Sequence, residues 1–134
     1  MINSKIIKIA SNTKYAGLKN MFTHKSSIKN SLCGDSIQVE FIASKTKVNL
    51  MRYETESCIL CEASASLFAK KIKKIKLKKL IKDVKYFIKF KKNNEITFPL
   101  AYKEFNQLLT KNSKNRINCV ILPMEAFLKA FKIK

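Results

Sequence analysis

Three cysteines of this 134-residue chain stand at positions where a side chain could do chemistry. Cys33 is separated from Asp35 by one of only two glycines, and Cys58 and Cys119 each stand where a helix is expected to begin. Unpaired N–H groups at a helix N-terminus favour the thiolate, which is the form that binds metal or attacks sulfur. Together the four side chains would form a tetrahedral set of three sulfurs and one oxygen, which suits zinc or iron.

The same residues also have a simpler interpretation. Cysteine is often just a small buried hydrophobic residue, and aspartate is common in turns. The candidate ligands are far apart in sequence, unlike the paired cysteines of a structural zinc finger. The residues alone therefore leave both interpretations open.

The elements that must position these side chains follow from hydrophobic periodicity. Alternation of apolar and polar residues predicts strands, whereas apolar residues at helical spacing predict helices. The expected strands span residues 21–28, 36–44 and 48–55, the last two forming an antiparallel hairpin. The expected helices span residues 5–11, 58–74, 77–90, 99–109 and 119–134.

Strand alternation also predicts which side chains face the core. The expected core positions of the hairpin are Ile37, Val39, Phe41, Val48 and Leu50. Glu40 is expected on the opposite, polar face, and Arg52 is expected to share a face with Leu50. Strands followed by helices indicate an α+β fold, with a small antiparallel β-sheet and helices packed on one face. We expect residues 1–134 to form a single domain.

The net charge of +19 comes almost entirely from lysine, with arginine only at Arg52 and Arg116. Arginine is the side chain that reads phosphate and guanine bidentately, so this composition favours a solvated lysine face over specific nucleic-acid recognition. A basic nucleic-acid-binding module that uses the lysines around Lys70 to Lys79 remains an alternative. The same lysines could instead dock an acidic partner enzyme.

No membrane segment or secretory signal is predicted. No uninterrupted apolar run approaches the roughly 20 residues that span a bilayer, and the first ten residues lack a long apolar block. We therefore expect a cytoplasmic protein. In that reducing compartment the four cysteines are expected to be free, catalytic or metal-bound rather than paired in disulfides.

Several segments of the chain resemble the signature blocks of one family. "CGDSIQVEF", "YETESCILCEASASL" and "RINCVILPMEAF" are similar to the cysteine-containing blocks of the U-type iron–sulfur cluster assembly proteins, the NifU, IscU and SufU scaffolds. "NTKYAG" resembles the family's glycine-containing motif near the amino end, so both glycines fall on family glycine positions. The long spacing between the second and third motif cysteines is similar to that of the SufU branch.

The resemblance implies a metal site at one end of the sheet. The implied ligands of zinc, or alternatively of iron, are Cys33, Asp35, Cys58 and Cys119. In a scaffold of the IscU type, the three cysteines would hold an assembling [2Fe–2S] cluster. In SufU-like proteins the site accepts sulfur as a persulfide from a cysteine desulfurase, and the family match makes Cys33 the acceptor. The implied partners are that desulfurase and the downstream iron–sulfur acceptor or assembly proteins.

The chain also departs from the family pattern. Asn118 stands where the IscU branch has histidine, so no histidine ligand is available beside Cys119. Glu56 and Ser57 stand where a glycine usually precedes the second motif cysteine, and the Leu-Pro-Pro-Val-Lys stretch that engages a chaperone in IscU proteins is absent. These departures favour the SufU branch.

Four further residues have candidate roles. Cys61 is expected to be a packed thiol, with an auxiliary ligand or sulfur relay as the alternative. His24 is expected on the surface or in a strand rather than at a metal. Arg116 matches a family basic position and could steady a thiolate or persulfide, although an ordinary surface arginine is the alternative. Glu62 is expected in the first turn of its helix, where the helix dipole favours an acid.

Overall fold

The computed structural model describes residues 4–30, 34–90, 97–109 and 117–133. The described strands are β1 (His24–Lys29), β2 (Ser36–Ala43) and β3 (Val48–Glu56). The described helices are α1 (Ser4–Ala10), α2 (Ile59–Lys71), α3 (Leu77–Phe90) and α4 (Ile117–Ala130), with 3₁₀ helices at Ile72–Lys74 and Leu100–Leu108. None of the helices in these ranges is both long and apolar enough to cross a membrane.

The three strands form one antiparallel sheet in the order β1-β2-β3. The helices lie on one face, where α4 packs against β1 and β2 and α2 packs against β3. Ile37, Val39 and Phe41 are buried on that face as expected. The α+β fold predicted from the sequence is therefore confirmed, including β1, which begins at His24, three residues later than expected.

The expected face of β3 is wrong beyond its first residue. The pairing register shifts between Ile42 and Ala43, because Ile42 pairs with Leu50 whereas Ala43 pairs with Val48. Asn49 is therefore an extra residue in β3, which is the definition of a β-bulge. The bulge restarts the alternation, so Val48 is buried but the next core residues are Met51 and Tyr53 rather than Leu50 and Arg52.

Glu40 is buried, contrary to the expectation that it faces solvent. Its Oε1 accepts hydrogen bonds from the backbone N–H groups of Lys19 (2.9 Å) and Asn20 (3.1 Å). The amino-terminal connection between α1 and β1 thus covers part of the polar sheet face. A buried carboxylate is tolerated there because backbone donors satisfy it.

The connection between α1 and β1 is also hydrogen-bonded to the edge of β3. The N–H of Gly17 donates to the carbonyl of Tyr53 at 2.8 Å, and the N–H of Tyr53 donates to the carbonyl of Tyr15 at 3.3 Å. Gly17 has a φ of +93°, a left-handed conformation in which a side chain is strained. The glycine is therefore required by the turn that brings the chain alongside β3.

The core is centred on α2, which has nine buried residues. Its small side chains let α1, α4 and the second 3₁₀ helix pack closely around it. α3 follows the expected amphipathic pattern, with Leu80, Val84 and Phe87 buried. Aromatic side chains fill the space between α4 and the sheet, where Phe127 makes edge contacts with Phe41 and Phe68.

Two helix predictions are corrected. Instead of one regular helix at 99–109, the chain forms a 3₁₀ helix that is interrupted at Tyr102, whose φ and ψ are −123° and 21°. The ring of Tyr102 is buried and its hydroxyl donates to Asp83 at 2.7 Å, so tertiary contacts override the local preference. α4 ends at Ala130 rather than 134, because Lys132 adopts a left-handed φ of +58° that terminates the helix.

Candidate metal centre

Three of the four expected ligands meet at one end of the sheet. The Sγ atoms of Cys58 and Cys119 and a carboxylate oxygen of Asp35 all lie within 4.8 Å of one another. We call these three residues the thiol pocket. Cys33, the fourth expected ligand, lies outside the described residues, as does Arg116.

Asp35 is positioned by the turn between β1 and β2. The N–H of Asn30 donates to the carbonyl of Asp35 at 2.7 Å, and the N–H of Gly34 donates to the carbonyl of Asn30 at 2.8 Å. Gly34 has a φ of +75°, so this turn too requires the freedom of glycine. The carboxylate is buried, and its Oδ1 accepts the backbone N–H of Cys58 at 3.1 Å.

Cys58 stands at the junction of β3 and α2. It is the N-cap residue of α2, with an extended backbone, and its side chain is half-buried. The backbone N–H of Cys61, in the first turn of α2, helps to lower the pKa of the Cys58 thiol. The start of the helix thus favours the thiolate, as expected of an N-terminal cysteine.

Cys119 is the third residue of α4 and is buried. The carbonyl next to it, that of Val120, accepts a short hydrogen bond from the buried hydroxyl of Ser64 on α2. Pro123 lies inside α4, four residues after Cys119. Sequence reasoning singled out neither Ser64 nor Pro123, although the small polar residues of "ASAS" and the proline within a predicted helix were visible signals.

The two thiols of the pocket have opposite pKa shifts. A hydrogen bond from Cys119 lowers the pKa of Cys58 to about 7, and the N–H of Cys61 lowers it further, against the opposing effects of burial and of Asp35. The pKa of Cys119 is raised, first because its thiol hydrogen bonds to Cys58 and then because of burial and Asp35. In the metal-free pocket these shifts favour the thiolate at Cys58 and the protonated thiol at Cys119.

The donor set of the pocket fits a thiophilic metal. Two sulfurs and one carboxylate oxygen, supplied by three separate elements, match the ligand types of zinc and iron sites. A bound cation would remove the proton from Cys119, since metal coordination deprotonates thiols. These three donors fit a tetrahedral ion that takes its remaining ligand from elsewhere.

A groove of about 530 Å³ on the polar sheet face lies near the pocket. It is bordered by Ser36, which follows Asp35, and by Glu56, two residues before Cys58. Glu54 and Glu62 also line it. Acidic side chains are thus concentrated near the thiol pocket in a chain that has only nine of them.

Cys61, His24 and Glu62 lie where the sequence predicts them. Cys61 is fully buried in the core, which supports the packed-thiol interpretation. His24 begins β1, where its ring stacks on Phe131 with a centroid distance of 4.1 Å. Glu62 lies in the first turn of α2.

Comparison with known proteins identifies the family. The family model for the NifU-like N-terminal domain matches residues 1–92. The chain therefore belongs to the NifU-like N-terminal domain family of iron–sulfur cluster scaffolds, which confirms the resemblance found in the sequence. A search of curated proteins finds no significant match.

Solved structures agree in fold. The N-terminal part of a nitrogen-fixing NifU-like protein from Brucella abortus superposes with a TM-score of 0.80 at 20% identity, covering 97% of this chain and 91% of that one. A putative iron–sulfur cluster assembly scaffold protein for the SUF system from Fervidobacterium islandicum AW-1 gives a TM-score of 0.78 at 17% identity, covering 96% and 95% of the two chains. At these identities the likeness establishes the shared fold.

Proposed function

We propose that this protein is a SufU-like sulfur acceptor that works with a cysteine desulfurase in iron–sulfur cluster biogenesis. The observation that carries the proposal is the convergence of the donor atoms of Asp35, Cys58 and Cys119 within 4.8 Å. Cys33 completes the proposed set as the fourth ligand. The family membership supports the general role, and zinc is the proposed resting metal.

The chemistry of the donor set supports sulfur transfer. A bound zinc ion holds its cysteine ligands as thiolates, and a carboxylate is a harder, more exchangeable partner for zinc than a thiolate. In the proposed step, the Cys33 thiolate attacks the terminal sulfur of the persulfide on the desulfurase. The sulfur–sulfur bond of that persulfide breaks, the desulfurase cysteine leaves as a thiolate, and Cys33 carries the new persulfide. No external oxidant or reductant is needed.

The architecture gives Asp35 and Cys58 distinct parts in this proposal. Asp35 holds the backbone N–H of Cys58, so the carboxylate and the thiol are already oriented before a metal binds. Cys58 is half-buried, whereas Cys119 is buried behind it. The proposed pocket thus presents a more accessible sulfur on its outer side and a protected sulfur on its inner side.

We further propose that residues 1–134 act as one domain in the cytoplasm. The downstream partners in this proposal are iron–sulfur acceptor or assembly proteins, which would receive the sulfur or the finished cluster. The site needs a partner to supply sulfur. The chain is accordingly proposed as a carrier rather than a stand-alone enzyme.

A [2Fe–2S] scaffold of the IscU type is the second candidate within the same family. It would use the three sulfurs of Cys33, Cys58 and Cys119 as cluster ligands. The pocket supports it as well as it supports zinc binding, because two of those sulfurs are already adjacent. The two candidates differ in the resting metal.

Metal analysis after anaerobic purification tests both candidates. We expect about one zinc per chain and a colourless wild type, and little zinc in Cys119→Ser, because a buried ligand is lost. Cys61→Ser is the matched control, since Cys61 is buried one turn away in the packed core, and it should keep its zinc. Brown protein with iron and sulfide would favour the scaffold, and a reduced wild type that takes up neither metal would reject both.

A nucleic-acid-binding module is the alternative from another class. It would use the lysines around Lys70 to Lys79. These belong to residues 70–89, which we call the lysine surface and which contain ten lysines and one acid. Eight of those lysines are exposed. Duplex binding that survives replacement of Cys58 and Cys119, without sulfur transfer to Cys33, would favour this alternative. If instead the lysine surface docks the desulfurase, high salt should abolish stimulation of that enzyme.

A further inference from the structure

We propose that Ser64 is a positioning residue whose hydroxyl holds the first turn of α4 against α2 and so sets the separation of the Cys58 and Cys119 sulfurs. The inference rests on the proposed metal-binding function of the pocket. It concerns a residue that touches neither the metal nor the sulfur that would be transferred.

The hydrogen bond made by Ser64 joins the two helices that carry the pocket cysteines. Ser64 is fully buried on α2, six residues after Cys58, and its hydroxyl donates to the carbonyl oxygen of Val120. Val120 directly follows Cys119 on α4. The bond therefore ties the backbone at one cysteine to the helix that begins at the other.

The start of α4 is the part of the helix that most needs an outside contact. Pro123 has no N–H to donate to the carbonyl of Cys119, so α4 lacks that intrahelical bond. The proline ring also crowds the carbonyl four residues earlier. The backbone at Cys119 therefore has fewer hydrogen bonds within its own helix than an ordinary helical turn has. The hydrogen bond from the Ser64 hydroxyl stabilises this turn from α2.

Close packing makes this bond possible. α2 and α4 are in contact along the core, and the residues on either side of Ser64 are the buried alanines Ala63 and Ala65. A hydroxyl on such a small side chain can reach a helical carbonyl on the neighbouring helix. Groups that support metal ligands from outside the coordination sphere typically change metal affinity by about 10- to 100-fold when they are lost.

The first test compares Ser64→Ala with Ser66→Ala. Ser66 is a matched control because it is a buried serine on the same helix, yet its hydroxyl donates to the carbonyl of Asn12 at 3.0 Å, away from α4. Zinc affinity is measured by competition with a chromophoric chelator, and ligand geometry by the absorption bands of the cobalt(II) form. We expect about tenfold weaker zinc binding and altered cobalt bands in Ser64→Ala, and wild-type behaviour in Ser66→Ala.

A second pair of variants separates the hydroxyl from side-chain volume. Ser64→Thr and Ser64→Val have nearly the same shape, but only threonine keeps the donor. The threonine variant should bind zinc about tenfold more tightly than the valine variant, and this holds even if Ser64→Ala does not fold. Equal affinities in this pair would overturn the inference, as would equal losses in the two alanine variants.

A measurement on zinc-free protein separates this inference from the metal function. A short bifunctional thiol reagent should cross-link Cys58 to Cys119 in the wild type and in Ser66→Ala, with peptide mapping to identify the bridge. The yield should fall in Ser64→Ala. Wild type that binds no metal yet shows this pattern would reject the metal function alone, whereas an unchanged yield in Ser64→Ala would reject the positioning role.

Discussion

The thiol pocket and the lysine surface lie toward opposite ends of α2, a 13-residue helix about 20 Å long. At the first end, three side chains from three different elements converge, and two of them are buried. At the second end, lysines recur along α2, the first 3₁₀ helix and α3, and most are exposed. Each pocket residue has one specific set of neighbours, whereas most of the lysines face solvent, although Lys71 pairs with Glu104 and Lys79 pairs with Asp83.

This difference separates a site from a charged surface. Removing one pocket residue breaks a constellation of three specific donors, so its effect should be large and specific. Removing one lysine leaves nine others in the same surface, and an exposed charge contributes little to stability by itself. The two ends should therefore respond to mutation in different measurements.

The largest expected effect is on metal affinity. Cys58→Ser should weaken zinc binding by more than about 100-fold, which exceeds the usual loss for groups outside the coordination sphere, because a direct thiolate ligand is removed. The double variant Lys78→Glu/Lys82→Glu should bind zinc like the wild type. Competition titration with a chelator of known affinity measures both.

Either of two results would contradict this contrast between the thiol pocket and the lysine surface. If Cys58→Ser keeps wild-type zinc affinity, the convergence in the thiol pocket is not a metal site. If reversing the two lysine charges weakens zinc binding as strongly as removing the thiol, the lysine surface is part of the same site. The melting temperature of each metal-free variant shows whether a loss comes from unfolding.

The next effect distinguishes the two thiols within the pocket. In zinc-free protein at pH 7, iodoacetamide should modify Cys58 about tenfold faster than Cys119, because the pKa of Cys58 is lowered to about 7 while that of Cys119 is raised. Cys119→Ala removes the donor that lowers the Cys58 pKa. The midpoint of the pH–rate profile for Cys58 should then move to higher pH, and mass spectrometry of peptides follows each site. An unchanged midpoint would contradict the hydrogen bond from Cys119 as the main cause of the lowered Cys58 pKa.

Much of this fold could be predicted because its signals are local. The alternation of Ile37, Val39 and Phe41 predicts a half-buried strand, and the apolar positions of α3 recur at helical spacing. These periodicities depend only on neighbouring residues and on one buried face. The motif resemblance, and not the spacing, indicates the ligand candidates, because residues so far apart in sequence carry no local sign of convergence.

The predictions of side-chain burial are wrong where groups distant in sequence determine which side chains are covered. Alternation predicts that Glu40 faces solvent, because it cannot show that the N–H groups of Lys19 and Asn20 cover its carboxylate. The bulge at Asn49 depends on pairing between β2 and β3. It shifts every later side chain of β3 to the other face of the sheet. The hydrogen bond between the Cys58 and Cys119 thiols also forms only once α2 and α4 meet.

The lysine surface should dominate binding to polyanions. With mixed-sequence duplex DNA as the probe, we expect weak, sequence-independent binding whose logarithm falls linearly with the logarithm of salt concentration. Lys78→Glu/Lys82→Glu should reduce the steepness of that line by about 2, because each lost phosphate contact contributes about 0.9. Cys58→Ser should bind DNA with the same affinity and the same salt dependence as the wild type. A strong preference for one sequence would instead support a nucleic-acid-binding module.

The smallest expected effect is on stability. Lys85 and Lys89 are both exposed on α3 and lie four residues apart, where like charges repel and an acid placed before a lysine attracts it. Lys85→Glu should therefore raise the free energy of unfolding of zinc-free protein by about 0.5 kcal/mol in urea titrations at low salt, with Lys85→Gln giving about half of that. The gain should disappear in high salt, because screening removes the interaction. A loss of stability in Lys85→Glu would mean that Lys85 itself takes part in specific contacts, and the contrast with the thiol pocket would then be one of degree.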